Sequence, residues 1–138
     1  MIRPDLSVRF LIMNVPEGLR YSADHEWVQV DGDSVRIGIT DYAQDALGDV
    51  VYVDLPSTGT PVEAGATFGE VESTKSVSDL FAPVSGEIVA VNDELADAPE
   101  RLNTDPYGDG WICTIAMSDT QELDALLDAA GYAALIDG

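Results

Sequence analysis

Lysine is almost absent from this chain of 138 residues, in which one lysine stands beside five arginines and 26 acidic side chains. The formal net charge of −20 would repel a phosphate backbone, so we expect no direct binding of nucleic acid. The charge suits a soluble protein that docks on basic surfaces of partner proteins. Compositional drift alone could remove lysine from a sequence, so the surroundings of the remaining one must show whether its amine has a role.

Cysteine, histidine and long apolar runs are also scarce. The single cysteine, Cys113, allows no internal disulfide and lies in an apolar segment, which predicts a buried side chain in a reducing compartment such as the cytosol. The single histidine, His25, cannot form a histidine cluster for a metal, and we expect it to be structural, hydrogen-bonded near Trp27. No run of about 18 apolar residues is present, so we expect no membrane-spanning helix. No nucleophile–base pair or phosphate-binding glycine motif predicts catalysis.

The sequence patterns that are present are mostly those of short strands. Two alternating runs, 27–30 and 35–39, flank an Asp-Gly pair and predict a β-hairpin. A helix is predicted over 41–47, with Thr40 as N-cap and Gly48 as the stop. Further strands are predicted over 50–53, 67–72, 77–81, 88–91 and 111–116.

The C-terminal segment changes to a helical period. Ser118 and Gln121 match a capping box, with Ser118 as N-cap, and leucines at 123, 126 and 127 recur at helical spacing. Gly131 is expected to end or interrupt this helix. A faint repeat between residues 59–65 and 86–94 indicates two similar β-units. We therefore predict a mainly β, flattened barrel with helices at its periphery, including one at the C-terminus.

The N-terminus has the character of an extension. Its apolar stretch is too short for a secretory signal and lacks a small-residue cleavage site. Met13 could be an alternative start, because the folded pattern begins near Val15. We predict an extension over residues 1–14, dispensable for folding at least as far as residue 12, and one domain over residues 15–138.

The surroundings of Lys75 predict a modification site. Strand-like runs precede and follow it, which puts it at the tip of a hairpin between Glu72 and Asp79. Its small polar neighbours, Thr74 and Ser76, leave room for an approaching enzyme. An unaided alkyl amine is protonated near neutral pH and is a poor nucleophile, so an acceptor of acylation is favoured over a catalytic lysine.

Several segments in fixed order resemble one family. Residues 72–88, ESTKSVSDLFAPVSGEI, look like a lipoyl attachment site and resemble the glycine cleavage H-protein family in particular. The resemblance extends over about residues 18–132 and includes YSADHEW (21–27), GITDYAQD (38–45), LGDVVYVDLP (47–56), GEVES (69–73) and PYGDGW (106–111).

The resemblance implies a fold and a function. The fold would be a lipoyl/biotinyl-type flattened β-barrel, a barrel-sandwich hybrid, and residues 15–138 would be a lipoyl-binding domain. The chain would be a non-catalytic carrier with lipoic acid amide-linked to Lys75. Its arm would carry the aminomethyl group of glycine from glycine decarboxylase to aminomethyltransferase and be reoxidised by dihydrolipoyl dehydrogenase. A lipoate ligase or a lipoyl/octanoyl transferase would attach the arm, and we expect a cytoplasmic monomer.

The resemblance also implies roles for four acidic residues. Glu26 and Asp79 would face the loaded arm in a surface cleft, with Asp24 as a weaker candidate. Glu72, beside the hairpin tip, could be recognised by the attaching enzyme.

Other functions use the same lysine. A lipoyl relay in protein lipoylation stays open, whereas a domain of a 2-oxo-acid dehydrogenase would need a linker and further domains that this chain lacks. A biotin carrier typically has methionines beside its lysine, where this chain has Thr74 and Ser76. In an unmodified interaction module, Lys75 would be incidental.

Overall fold

The computed structural model describes residues 13–137, in which nine strands form two antiparallel sheets. One sheet has the order β1-β2-β3-β9-β8-β5 and the other the order β4-β6-β7. The strands are β1 (Arg20–Tyr21), β2 (Glu26–Asp31), β3 (Ser34–Ile39), β4 (Val50–Asp54), β5 (Pro61–Val62), β6 (Thr67–Ser73), β7 (Val77–Phe81), β8 (Gly86–Val91) and β9 (Cys113–Met117).

The helices of the described residues are short and lie outside the two sheets. They are α1 (Asp41–Leu47), α2 (Glu94–Asp97), α3 (Arg101–Thr104), a 3₁₀ helix (Thr120–Ala125) and the C-terminal α4 (Ala129–Asp137). None of them is long and apolar enough to cross a membrane.

The main hydrophobic core takes side chains from both sheets. Ile37 and Ile115 of the larger sheet pack in the same buried cluster as Val53 and Val71 of the smaller one. Each fully buried aliphatic side chain contributes roughly 1.5–3 kcal/mol relative to exposure. Cys113 belongs to this core, and its burial raises the pKa of the thiol to about 12. The prediction of a mainly β fold is confirmed, and two sheets around one core are compatible with a flattened barrel.

The first hairpin and helix follow the sequence signals. Strands β2 and β3 pair from end to end around Gly32, whose φ of +63° suits glycine. Helix α1 begins after Thr40, whose hydroxyl accepts a hydrogen bond from the Ala43 N–H at 3.2 Å. It ends at Gly48, where φ is +83°. Both predicted caps of α1 are therefore confirmed.

The C-terminal segment corrects two predictions. The N-cap of the 3₁₀ helix is Asp119 rather than Ser118, because the Asp119 carboxylate accepts the Gln121 N–H at 3.0 Å. Gly131 does not end a helix but lies in the first turn of α4, where its N–H donates to the Asp128 carboxylate at 2.8 Å. Aspartate is a strong N-cap former, and here an aspartate starts each of the two helical pieces.

The proposed N-terminal extension lies mostly outside the described residues, which begin at Met13. Asn14 is bonded to the domain: its N–H donates to the Asp41 carboxylate at 2.9 Å, and its carbonyl accepts from the Tyr107 hydroxyl at 2.6 Å. These hydrogen bonds attach Asn14 to α1 and to Tyr107, and the predicted boundary between residues 14 and 15 stays a prediction. That residues 1–12 are dispensable stays a prediction.

Candidate functional site

Lys75 lies at the exposed tip of the hairpin formed by β6 and β7. The Ser73 N–H donates to the Ser76 carbonyl at 2.8 Å and closes the turn. The Ser73 hydroxyl accepts from the backbone N–H groups of Lys75 at 3.2 Å and of Ser76 at 3.1 Å. A single buried serine therefore orders the backbone on which the lysine stands, while the lysine side chain stays accessible.

The loop after α1 supports one side of this tip. The Thr74 N–H donates to the Asp49 carbonyl at 3.0 Å. A Cβ added at Gly48 would lie 3.0 Å from Cε of Lys75, so the lysine stem passes directly over this glycine. Glycine is therefore favoured at position 48 by its positive φ, and a larger residue there would also displace the flexible stem of Lys75.

A cleft of about 330 Å³ opens beside the lysine. It follows β7, an edge strand of its sheet, and α1 forms the opposite wall. Its apolar walls include Leu47 and Leu80, and its carboxylates are those of Asp24, Glu26 and Asp79. The cleft can receive an aliphatic chain that starts at the hairpin tip and ends in a cationic group among the carboxylates.

Glu26 is a buried carboxyl in the wall of this cleft, with only 2% of its surface exposed. Its Oε1 accepts from the Ser22 hydroxyl at 2.6 Å, and its Oε2 accepts from the Phe81 N–H at 3.3 Å. Desolvation raises the pKa of Glu26 to about 8 against the opposing effect of these hydrogen bonds, and the nearby charge of Asp24 raises it further. Near neutral pH this carboxyl is therefore largely protonated.

His25 is anchored to the C-terminal helix. Its Nδ1 lies 2.7 Å from the Tyr132 hydroxyl, which is itself 2.7 Å from Oγ1 of Thr40. Burial lowers the pKa of His25, with the charge of Asp24 acting in the opposite direction. Its partner is thus Tyr132 of α4, which packs in the same buried cluster as Trp27. The Trp27 indole N–H itself donates to the Pro106 carbonyl at 2.9 Å.

Three of the four acidic candidates come together in the cleft. Asp24, Glu26 and Asp79 line it, and Lys75 is next to Ser76, which also lines it. Glu72 does not line the cleft: it lies exposed on β6, paired with Val77 across the hairpin. Sequence patterns gave no sign of Tyr132, because a tyrosine in an apolar helix is equally compatible with plain core packing.

Two small sheets around one core, an exposed hairpin-tip lysine and a partly apolar cleft beside it define a carrier protein of the lipoyl/biotinyl class. The model of the family described as glycine cleavage H-protein matches residues 19–138. The chain belongs to this family.

Close relatives span almost the same length. A glycine cleavage system H protein from Micrococcus luteus is 60% identical over 122 residues, covering 87% of this chain and 95% of the relative. One from Anaeromyxobacter sp. (strain K) is 56% identical over 125 residues, covering 91% and 98%. The crystal structure of a glycine cleavage system H protein from Mycobacterium marinum, 48% identical, superposes with a TM-score of 0.80 over 87% of this chain and 97% of that one.

Membership of the family establishes the role of the chain. It is a non-catalytic lipoyl carrier of the glycine cleavage system, and lipoic acid is its cofactor. The biotin-carrier and lipoyl-relay alternatives are not favoured by these relatives.

Proposed function

We propose that Lys75 is the lipoyl attachment residue and that the cleft along β7 receives the attached arm. The observation that carries this proposal is the arrangement of an accessible lysine at one end of a partly apolar cleft with three carboxyl groups in its wall. Attachment forms an amide at Nζ and removes the lysine charge, so the formal net charge becomes −21, one unit below −20.

The carboxylates of the cleft are suited to a cationic group on the arm. When bound, the lipoyl group supplies a disulfide that is reduced as it accepts the aminomethyl group of glycine. We propose that Glu26 and Asp79, with a smaller share from Asp24, pair with the resulting amine and limit its contact with water. Glu26 is held at a pKa of about 8 by burial, and an approaching cation lowers the pKa of a carboxyl. Entry of the arm is thus expected to release a proton from Glu26.

The partners follow from the same role. Beyond glycine decarboxylase and aminomethyltransferase, we propose dihydrolipoyl dehydrogenase and a lipoate ligase or lipoyl/octanoyl transferase, acting in the cytoplasm on a monomer. Glu72, exposed close to Lys75, is the proposed contact for the attaching enzyme. The net charge of −20 supports brief encounters with basic surfaces, weakened by salt.

Trypsin gives a direct test of the attachment residue. Lys75 is the only lysine, and the nearest arginines are Arg36 and Arg101. Acylation of Lys75 blocks cleavage there, so lipoylated protein should yield one uncut peptide of residues 37–101 carrying the lipoyl mass. Unmodified protein should yield peptides 37–75 and 76–101. A lipoyl mass on another peptide, or a biotin mass, would contradict the proposal.

A further inference from the structure

We propose that Asn103 is a positioning residue that fixes the lysine-bearing hairpin against the wall of the cleft. Asn103 lies on α3, far along the chain from Lys75. The proposal rests on the assignment of Lys75 as the attachment residue, and it adds what holds that residue in place.

The side-chain amide of Asn103 bonds three groups, one on α1, one on the residue that follows α1 and one on β4. Its Nδ2 donates to the Gly48 carbonyl at 2.9 Å and to Oε1 of Gln44 at 3.0 Å. Its Oδ1 accepts from the Val50 N–H at 2.8 Å. One amide thus ties the last turn of α1 to the first residue of β4, and it supplies a donor to the Gly48 carbonyl at the end of α1.

The loop that Asn103 holds is the loop that touches the hairpin tip. Gly48 lies under the stem of Lys75, and the Asp49 carbonyl accepts the Thr74 N–H at 3.0 Å. Val50 pairs with Ser73 in the sheet. The three consecutive residues 48–50 therefore contact three consecutive residues of the hairpin: Gly48 contacts Lys75, Asp49 contacts Thr74 and Val50 contacts Ser73.

The same amide also sets the position of the cleft wall. Gln44 belongs to α1, and Leu47 of α1 lines the cleft. By holding both α1 and the loop, Asn103 fixes the distance between the wall and the residue from which the arm starts. Such preorganisation lowers the cost of presenting Lys75 to an enzyme that must meet it in one geometry.

The substitution Asn103→Asp tests this role with almost no change of shape. It keeps an oxygen to accept the Val50 N–H but puts a carboxylate oxygen against the Gly48 carbonyl, which cannot turn into a donor. The loop then occupies its ordered position in a smaller fraction of the molecules. The apparent affinity of an enzyme for its substrate falls in proportion to the fraction that is in the binding-competent conformation. With a lipoate ligase, ATP and lipoic acid, we expect KM for the chain to rise about tenfold while kcat is kept.

Asn92 offers a matched control. Its Nδ2 also donates to two acceptors, here the backbone carbonyls of Asp109 and Trp111, both at 2.8 Å. The variant Asn92→Asp should lower the free energy of unfolding at least as much, since Asn92 is buried, but it should leave KM for lipoylation unchanged.

Hydrogen exchange of the Thr74 amide supplies a second readout that needs no acylation. We expect faster exchange in Asn103→Asp and unchanged exchange in Asn92→Asp, both measured under conditions where each variant is folded. Equal effects of the two substitutions on KM and on Thr74 would reduce Asn103 to a general contributor to stability and overturn the proposal. Wild-type protein that accepts lipoate elsewhere than Lys75 would instead refute the attachment site, whatever the exchange data give.

Discussion

The two ends of the cleft differ in which part of the molecule meets water. At the hairpin tip, Lys75 is exposed and its backbone is ordered by the Ser73 hydroxyl. Along the wall, Glu26 is 2% exposed and its carboxyl is bonded by Ser22 and by the backbone of Phe81. At the tip, the Lys75 side chain extends into solvent from an ordered backbone. In the wall, the Glu26 side chain is buried, and burial raises its pKa.

This difference matches the two demands on a carrier. Several enzymes must reach its attachment point, so the side chain there has to stay accessible and the backbone has to be in place before the encounter. On the proposal that the cleft receives the loaded arm, its buried end keeps the cargo from water, and desolvation there strengthens charge interactions. Substitutions at the two ends should therefore separate function from stability.

The largest functional effect is expected for Lys75→Arg. Arginine keeps the positive charge but has no primary amine to acylate, so lipoylation and glycine-dependent carbon dioxide exchange with a glycine decarboxylase should both be lost. Because the side chain is exposed, the urea midpoint of unfolding should stay at the wild-type value. Residual exchange activity above that of unlipoylated wild-type protein would break the assignment.

At the buried end, Glu26→Gln should change stability in a pH-dependent way. In the folded protein Glu26 keeps its proton up to about pH 8, whereas its reference pKa is 4.5. Between these values the unfolded chain binds fewer protons, so wild-type stability falls as pH rises, by up to about 1.4 kcal/mol per pH unit from this group. Glutamine does not titrate, so the free energy of unfolding of the variant should increase relative to that of wild type as pH rises from about 5 to 8.

The measurement is urea unfolding of both unlipoylated proteins from pH 5 to pH 8, with the exposed Glu72→Gln as control. The remaining carboxylates are shared and cancel in the difference between the two unfolding free energies. If the difference in free energy of unfolding between Glu26→Gln and wild type does not vary with pH, the Glu26 carboxyl is ionised in the folded protein. That result would contradict a raised pKa at the buried end of the cleft.

The fold was largely predictable because local signals and packing agree. The Asp-Gly turn, the Thr40 cap and the Gly48 stop predicted the first hairpin and α1 at their observed places. The predicted N-cap at the C-terminal segment was wrong because Ser118 fits the capping-box pattern, while the neighbouring Asp119 accepts the Gln121 N–H. The short α2 and β1 were missed, since a few residues carry little periodicity.

The sequence singled out the residues of the proposed site but not their environment. Lys75 stood out by its setting, and resemblance indicated Glu26, but no pattern revealed that Glu26 is buried. One of its hydrogen-bond donors, the Phe81 N–H at the end of β7, lies 55 positions away along the chain. Tyr132 and Asn103 act through bonds to residues about 50 to more than 100 positions away, and a single sequence gives no signal for such contacts.

The smallest effect is expected for Ser73→Ala at the hairpin tip. The substitution removes the hydroxyl that accepts the N–H groups of Lys75 and Ser76. Ser73 is buried, but Lys75 and Ser76 are exposed, so water can reach their N–H groups and the free energy of unfolding should fall by only about 1 kcal/mol. Amide exchange at Lys75 and Ser76 should accelerate, while that of Ile37 in the core should not. Ser78→Ala, on the same hairpin but outside the turn, is the control. Equal exchange at Lys75 in both variants would show that the backbone pairing of β6 and β7 orders the tip without the serine, and that accessibility alone distinguishes it from the buried end.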